Sequence, residues 1–310
     1  MAALKAEQAR LVFAAIGLSA LIAMSVCRSS YALDAVGEEQ AIQQWRAERI
    51  ASLTSESGWL TLIGLYWLKE GENTFGRAKS NALVLEHPAL PASAGSFVLH
   101  KGRVQFVARA GSGITVGGQR ITTLDLVTDA QAQPTVLSVG SLQFFVIQRV
   151  NKLGVRVRDT QHPARKDFKG LNYFPVNAAW AIEAKFQPYV PVRHIPIVNI
   201  LGMTEQLEAP GALVFNRDGR EWRLDAVLEE PGAKQLFILF ADATSGRETY
   251  GAGRFIYVPL PVNGRVLLDF NKAYNPPCAF NDFATCPLPP NQNRLSLRVE
   301  AGEKKYTTSH

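Results

Sequence analysis

The 310-residue chain lacks the short motifs by which most catalytic and cofactor sites are recognised. It contains no Gly-x-Ser-x-Gly nucleophile elbow, no phosphate-binding loop, no dinucleotide fingerprint and no His-Glu-x-x-His zinc motif. Only five histidines and three cysteines are present. We therefore predict no metal and no cofactor, and interpret His194, in an extended Val-Arg-His-Ile-Pro setting, as structural. A Ser-His-Asp triad stays open, because triads are recognised by geometry rather than by sequence order.

Charge of one sign is not concentrated anywhere. The chain has 33 Lys and Arg against 27 Asp and Glu, a formal net charge of +6. The basic residues are scattered among acidic ones, without a stripe of interleaved aromatic residues, so nucleic-acid binding is not predicted. The mild positive charge is compatible with an anionic surface or ligand, or with solubility alone.

Residues 1–32 differ from the rest of the chain. Lys5 and Arg10 precede an uncharged apolar run over residues 11–27, and Ser30-Tyr31-Ala32 follows. This pattern is typical of a secretory signal peptide cleaved after Ala32, so we predict a periplasmic or secreted protein. Two alternatives stay open. The run approaches the roughly 20 residues that span a bilayer, so an uncleaved leader would anchor the protein to the membrane; lipid attachment at Cys27 is the other.

The remainder has the pattern of a mainly β protein. Residues 38–53 are the one predicted helix, with one face at helical spacing formed by Ile42, Trp45, Arg49 and Leu53. From Trp59 onward, short apolar or alternating runs are separated by turn residues. Asp218-Gly219 and Asn263-Gly264 predict two hairpins, and residues 234–241 predict a strand buried on both faces.

We therefore predict a β-sandwich or barrel-type fold with an N-terminal amphipathic helix and two β subdomains packed together. A polar break at residues 129–134 suggests the boundary between the subdomains, with one long loop in a continuous β fold as the alternative. The predicted organisation is a signal peptide (1–32), a helical segment (33–58), a first β region (59–130) and a C-terminal β region carrying the candidate site (131–310).

Polar residues and glycines follow the predicted buried strand, where scaffolds commonly carry function. Asp242 and Glu248 are candidates for a catalytic acid and base. Arg254 could bind an anion, and Thr244 or Tyr250 could donate a hydrogen bond to a ligand. The alternative is a structural loop in which Asp242 forms an Asx-turn and Glu248 pairs with Arg254.

A second polar stretch follows the Asn263-Gly264 turn. If the two strands flanking that turn pair, the chain converges on one cleft with Arg254 and Asp242. Asp269, Asn271 and Asn275 would then be further ligand-binding residues there. A surface loop covering the edge of the sheet is the alternative.

Cys278 and Cys286 lie in a proline-rich segment. In an oxidising compartment, this spacing predicts a disulfide that closes a short loop, with free thiols as the alternative.

Arginines alternate along another predicted strand. Arg149, Arg156 and Arg158 are basic, and Arg156 and Arg158 share one face of the strand. They could hold an anionic ligand, but we expect a solvated face with local ion pairs.

Residues 71–121 resemble a degenerate forkhead-associated domain. The resemblance rests on Phe75-Gly76-Arg77, on Ser80-Asn81-Ala82-Leu83-Val84-Leu85 and on the segment from Ser112 to Ile121. It implies a β-sandwich and gives Arg77 a phosphate-contacting role. The family's Ser-x-x-His element has no histidine in register, however, and Ser112-Gly113 replaces its Asn-Gly. We therefore expect a β-sandwich scaffold rather than a phosphopeptide reader.

Residues 40–304 resemble a bacterial and archaeal family, domain of unknown function 1684. The matching blocks are Trp45-Arg46-Ala47-Glu48-Arg49, Gly58 to Leu62, Leu68 to Gly76, Gly154 to Asp159, Phe168 to Leu171, Asp242 to Phe255 and Leu268 to Pro290. The resemblance implies no activity. We therefore expect an exported protein that binds a small polar or anionic ligand near Asp242, Arg254, Asp269 and Asn271. The alternatives are a hydrolase with paired carboxylates and a structural module of the cell envelope.

Overall fold

The computed structural model describes residues 37–131 and 133–307. The predicted signal peptide, with Ala32 and Cys27, lies outside the described residues. Within them, no helix has the length and apolar character needed to cross a membrane. The chain is mainly β, with several sheets and one N-terminal helix, as the sequence predicts.

Helix α1 covers 37–54, close to the predicted 38–53, and α2 is a single turn at Pro163–Lys166. The first eleven strands are β1 (Leu62–Trp67), β2 (Gly71–Gly76), β3 (Leu83–Val84), β4 (Gly95–His100), β5 (Arg103–Ala108), β6 (Thr115–Val116), β7 (Gln119–Arg120), β8 (Thr123–Leu126), β9 (Leu137–Val139), β10 (Leu142–Arg149) and β11 (Lys152–Asp159). The later strands are β12 (Ala181–Val198), β13 (Thr204–Arg217), β14 (Arg220–Ala226), β15 (Gln235–Phe240), β16 (Arg254–Pro259) and β17 (Arg265–Asp269).

Two sheets face each other in the N-terminal part. One has the order β1-β11-β10-β9-β6-β7 and the other β3-β2-β4-β5-β8. Apolar side chains from both sheets form one buried cluster, in which the Phe75 ring packs edge-on against Phe144 of the facing sheet at 5.0 Å between centroids. The predicted boundary at residue 130 falls inside this sandwich, because β9 to β11 share a sheet with β1.

The C-terminal part is built on a four-stranded sheet of order β14-β13-β12-β17, beside the separate pair β15-β16. Asp218 and Gly219 form the predicted turn between β13 and β14, and both have positive φ, at 53° and 72°. Strand β15 is buried along nearly its whole length, as predicted. Residues 295–301 contribute four apolar side chains to the core beneath these strands.

The prediction of a second hairpin at Asn263-Gly264 is wrong. The two residues do turn the chain, with φ of 50° and 72°, but the strands on either side do not pair with each other. Strand β16 pairs with β15, whereas β17 pairs with β12. The turn, which a bridge between Val262 and Arg265 closes, therefore connects two different sheets. Strand β16 pairs with the strand before it, whereas β17 finds its partner far away in the sequence.

Candidate functional site

A cavity of about 610 Å³ lies where α1, the β10–β11 turn, the β12–β13 hairpin and the β15–β16 pair meet. Six aromatic residues and five charged residues are among those that line it: Trp45, Trp59, Phe237, Phe255, Tyr257 and Tyr274, and Glu48, Arg49, Arg149, Glu205 and Glu229. An aromatic-lined cavity with a few converging polar groups is the usual form of a small-molecule site.

The aromatic wall follows from the pairing of β15 with β16. Phe237 lies opposite Tyr257 in the register, and their rings stack at 4.8 Å with 20° between the planes. Phe255 is two residues before Tyr257 and therefore lies on the same face of the strand. Tyr274 stacks on Tyr257 at 6.2 Å and meets Phe255 edge-on at 5.9 Å. The four rings form one continuous apolar surface.

Glu229 adds an acidic group to this wall. The Tyr257 hydroxyl donates a hydrogen bond to its carboxylate. The surrounding protein displaces water from Glu229 and thereby raises its pKa, while the bond from Tyr257 pulls in the opposite direction. The pKa of Tyr257 is raised too, chiefly by burial. Together they place a carboxylate and a protonated phenol at the cavity surface.

Helix α1 contributes the opposite wall. Trp45, Glu48, Arg49 and Ser52 line the cavity, and their spacing of three and four residues puts them on one helical face. The Arg49 guanidinium lies over the Tyr274 ring at 4.7 Å. It donates a hydrogen bond to Glu303 at 3.0 Å and another to the Asn275 carbonyl at 2.8 Å. These contacts attach α1 to the C-terminal part.

Glu303 is completely buried, and burial raises its pKa despite the nearby Arg49 charge. It also accepts a hydrogen bond from the Asn275 backbone at 2.8 Å. Through Arg49, which lines the cavity, Glu303 helps to fix the position of α1 at the cavity wall.

The third wall is basic. The Arg149 Nε donates to the Thr285 hydroxyl at 3.0 Å, and the Arg156 guanidinium reaches the same oxygen at 3.5 Å. Arg149 also forms an ion pair with Asp129 at 2.8 Å. Arg156 is only 3% exposed, and its guanidinium lies 5.4 Å from the Trp59 ring centroid. Two residues that line the cavity, Thr285 and Trp59, therefore contact Arg156.

The expectation of a solvated, ion-paired arginine face is wrong for Arg156 and Arg158. Arg156 is buried and Arg158 is half-buried against Phe145, with the guanidinium 4.6 Å from that ring. Neither forms an ion pair with a described carboxylate, and the Nε of each has no hydrogen-bond acceptor among the described residues. Thr285 and Trp59 lie against Arg156, and Phe145 lies against Arg158. The strand pattern does not reveal these contacts.

Asp242 and Arg254, both predicted site residues, come together in the core rather than in the cavity. Both side chains are fully buried and lie 3.4 Å apart. The Asp242 carboxylate also accepts the Val299 backbone N–H at 2.8 Å and the Thr244 hydroxyl at 2.8 Å. Arg254 donates to the carbonyls of Val299 and Ala301. This pair ties residues 299–303 to β16.

Glu248 does not share a cleft with Asp242. It is partly exposed and forms an ion pair with Arg298 at 2.8 Å, not with Arg254. Thr244 is buried against the Asp242 carboxylate, and the Tyr250 hydroxyl donates to the Cys278 carbonyl at 3.1 Å. The structure therefore favours the structural-loop interpretation, in which Asp242 accepts bonds from its own loop, over an acid and base facing one substrate.

The second predicted stretch divides between two places. Asp269 accepts hydrogen bonds from the Asn271 backbone at 3.0 Å and side chain at 2.9 Å, and Asn271 also bonds to Asn177. Asn275 lies elsewhere, and its backbone N–H donates a hydrogen bond to the Glu303 carboxylate. Asp269, Asn271 and Asn275 are absent from the lining of the cavity, as are Asp242, Thr244, Glu248, Tyr250 and Arg254; their assignment to a site stays a prediction.

Cys278 and Cys286 are neighbours in the structure but are free thiols, so the predicted disulfide is not present. The Cys278 backbone N–H donates to the Cys286 sulfur at 3.0 Å. A hydrogen bond from the Cys286 thiol lowers the pKa of Cys278, and burial opposes that effect. Cys286 lines the cavity. The sequence spacing predicts the proximity, whereas the local turn holds the sulfurs as a hydrogen-bonded pair.

No local pattern in the sequence identifies Glu229, Tyr257, Thr285 or Tyr274 as residues of a site. Their grouping depends on the pairing of β15 with β16 and on the fold of residues 270–287 over the sheet. The helical face of α1, with Trp45 and Arg49, was the one signal that the sequence carried. Arg77, the phosphate-contacting candidate of the forkhead-associated resemblance, is exposed and lies outside the cavity.

Residues 166–304 match the family model described as protein of unknown function (DUF1684). The match supports the family resemblance for this part of the chain, which carries most of the cavity lining. No curated protein gives a significant match to the chain.

Among solved structures, the chain is similar to the solution NMR structure of the uncharacterized protein from gene locus rrnAC0354 of Haloarcula marismortui. The identity is 31%, the similarity covers 46% of this chain and 80% of that one, and the TM-score is 0.39. A second is the FhaA FHA domain complexed with the intracellular domain of Rv3910, at 16% identity, 30% and 97% coverage and a TM-score of 0.22. A third, Mycobacterium tuberculosis Rv1747 FHA-1, has 10% identity, 32% and 95% coverage and a TM-score of 0.21.

Proposed function

We propose that the protein binds a small organic molecule in the aromatic-lined cavity and that it does so outside the cytoplasm. The main support for this proposal is the aromatic wall in a cavity of about 610 Å³, formed by Phe237, Phe255, Tyr257 and Tyr274. That volume falls in the range of about 300–1,000 Å³ that is usual for small-molecule sites.

The composition of the wall favours a ligand with an apolar body. Large aromatic side chains contribute apolar contact area with few rotatable bonds, so the wall loses little conformational freedom when a ligand binds. Tyr257 keeps 38% of its surface exposed, although its ring is stacked on Phe237. An exposed, ordered ring offers a ligand a preformed contact surface.

The polar groups of the cavity can orient a bound ligand. Glu229 with the Tyr257 hydroxyl lies on the β15–β16 side, and Thr285 with Arg149 lies beside the β10–β11 turn. A ligand that fills the cavity can therefore be held through its apolar body and oriented by a few hydrogen bonds. This arrangement favours specific binding over a passive gap in the packing.

The proposed location rests on the leader. A basic start, an apolar run and Ser-Tyr-Ala before residue 33 are typical of exported proteins. The ligand would accordingly be a molecule of the periplasm or the medium.

A thermal-shift screen of the purified protein tests the binding proposal. A ligand that binds only the folded state raises the melting temperature, with about 2.7 kcal/mol of stabilisation at a hundredfold excess over its dissociation constant. The control is Ser52→Trp, because Ser52 is exposed on α1 and lines the cavity, so an indole there fills the space without disturbing the core. We expect hits with apolar bodies that Ser52→Trp abolishes. Hits that persist in this variant would place binding elsewhere, and a complete lack of hits would contradict the proposal.

A further inference from the structure

We propose that the ligand of the cavity is an organic anion with an apolar body, and that Arg156 supplies the positive charge that selects it. This inference rests on the proposed binding function and names the class of ligand. It rests on the burial of Arg156 without a carboxylate partner among the described residues, and on the contact of Arg156 with Thr285 and Trp59 of the cavity wall.

Arg156 is a buried charge without a matching countercharge. It is 3% exposed, and its Nε has no acceptor among the described residues. Burial lowers its pKa to about 10, so the guanidinium is still protonated at neutral pH. The carboxylate that acts on its charge is Asp129, which is already paired with Arg149 at 2.8 Å. A buried cation in this state is costly, and an anion placed beside it would offset the cost.

Thr285 connects this charge to the cavity. Its hydroxyl oxygen accepts from Arg149 at 3.0 Å and is contacted by Arg156 at 3.5 Å. A hydroxyl that accepts on its lone pairs keeps its own proton to donate. Thr285 lines the cavity, so that proton is available to a ligand oxygen. Hydrogen bonds to an ionised oxygen are about twice as strong as those between neutral groups.

The acidic residues of the lining do not cancel this preference. Glu48 and Glu205 are exposed, and solvent screens charges at such positions far more than charges in the interior. Glu229 lies on the β15–β16 side of the cavity, where its carboxylate accepts the Tyr257 hydroxyl. Arg49, also in the lining, is neutralised by Glu303 at 3.0 Å. Arg149, which lines the cavity and also contacts Thr285, is paired with Asp129 at 2.8 Å. Arg156 is therefore the cation beside Thr285 that has no ion-pair partner among the described residues.

Two fluorescent probes with the same ring system separate charge from shape. Both 1-anilinonaphthalene-8-sulfonate and N-phenyl-1-naphthylamine carry the anilinonaphthalene body, but only the first has a sulfonate. Fluorescence titration of the full protein gives both dissociation constants. We expect the sulfonate to bind about tenfold more tightly, the change that one charge-assisted hydrogen bond produces.

Substitutions then test whether Arg156 is the source of the preference for the sulfonate. Arg156→Met should weaken binding of the sulfonate about tenfold and leave the neutral probe unchanged, whereas Arg156→Lys should restore part of the difference. Arg158→Met is the matched control, because Arg158 lies on the same strand, is also packed on an aromatic ring and is outside the lining. Circular dichroism checks that each variant is folded.

Equal affinities for the two probes, or tighter binding of the neutral one, would overturn the anion assignment while leaving the binding proposal intact. Equal losses with Arg156→Met and Arg158→Met would overturn the role of Arg156. If neither probe binds, or if both bind unchanged to Ser52→Trp, the proposed function itself fails together with this inference.

Discussion

Arg49 and Glu303 form an ion pair at 3.0 Å, although 254 residues separate them in the chain. The Arg49 side chain is 11% exposed and the Glu303 side chain is completely buried. The pair brings the helix that opens the described chain onto the segment that closes it. Arg49 lines the cavity, so the pair helps to hold one residue of the cavity wall in place.

Loss of Arg49 should destabilise the protein strongly. Arg49→Ala leaves the buried Glu303 carboxyl without its partner, and removal of one member of a buried pair typically costs about 3–5 kcal/mol. Urea unfolding should show a loss of unfolding free energy near the lower end of this range, because Arg49 keeps some contact with solvent. In the double variant Arg49→Ala/Glu303→Gln, part of the loss should be recovered. A loss no larger than that of Gln44→Ala, on the exposed face of α1, would contradict the structure.

The same carboxyl predicts a pH dependence. Burial raises the pKa of Glu303 in the folded protein above its value of about 4.3 in the unfolded chain. The folded state therefore binds this proton more tightly, so the stability contribution is fully present below about pH 4.3 and is lost as pH rises through the folded pKa. We expect the unfolding free energy of the wild type, relative to that of Glu303→Gln, to fall over this interval. A difference that is constant or rises with pH would contradict the assignment.

Asp242 is expected to act on stability rather than on chemistry. Asp242→Asn leaves Arg254 completely buried without a countercharge, at a cost of about 3 kcal/mol or more. Glu248→Gln, which affects only a partly exposed pair, should leave the unfolding transition unchanged. Urea unfolding followed by fluorescence measures both. An Asp242→Asn variant of unchanged stability would reopen the catalytic interpretation of this residue.

The two cysteines differ in reactivity. A hydrogen bond from Cys286 lowers the pKa of the Cys278 thiol, so alkylation of Cys278 by iodoacetamide should reach half its maximal rate below the usual thiol pKa of about 8.5. Cys286→Ala removes this bond and should move the midpoint upward. Peptide mass spectrometry after timed alkylation separates the two sites. A midpoint that Cys286→Ala does not change would contradict the proposed hydrogen bond.

Local signals in the sequence predicted much of the fold. Helical spacing of Trp45 and Arg49 predicted α1, and Asp218-Gly219 predicted its turn, because both patterns depend only on neighbours along the chain. The partner of β16 could not be predicted in this way. Asn263-Gly264 turns the chain equally well whether the flanking strands pair with each other or with strands elsewhere.

The candidate site was harder to predict than the fold for the same reason. Clustered polar residues such as Asp242 and Asn271 suggested a site in the sequence. In the structure they form hydrogen bonds with buried backbone groups and with neighbouring polar side chains. The cavity is built from aromatic residues that are individually unremarkable in sequence, such as Tyr257 and Tyr274. Their common location follows from long-range strand pairing, which the chain pattern does not encode locally.

A crystal structure of the protein with 1-anilinonaphthalene-8-sulfonate bound would show directly whether the cavity binds an organic anion. We expect the ring system to pack against Tyr257 and Tyr274, and the sulfonate to lie within hydrogen-bonding distance of Thr285. A ligand bound at any other place, or a sulfonate turned away from Thr285 and Arg156 toward solvent, would contradict it.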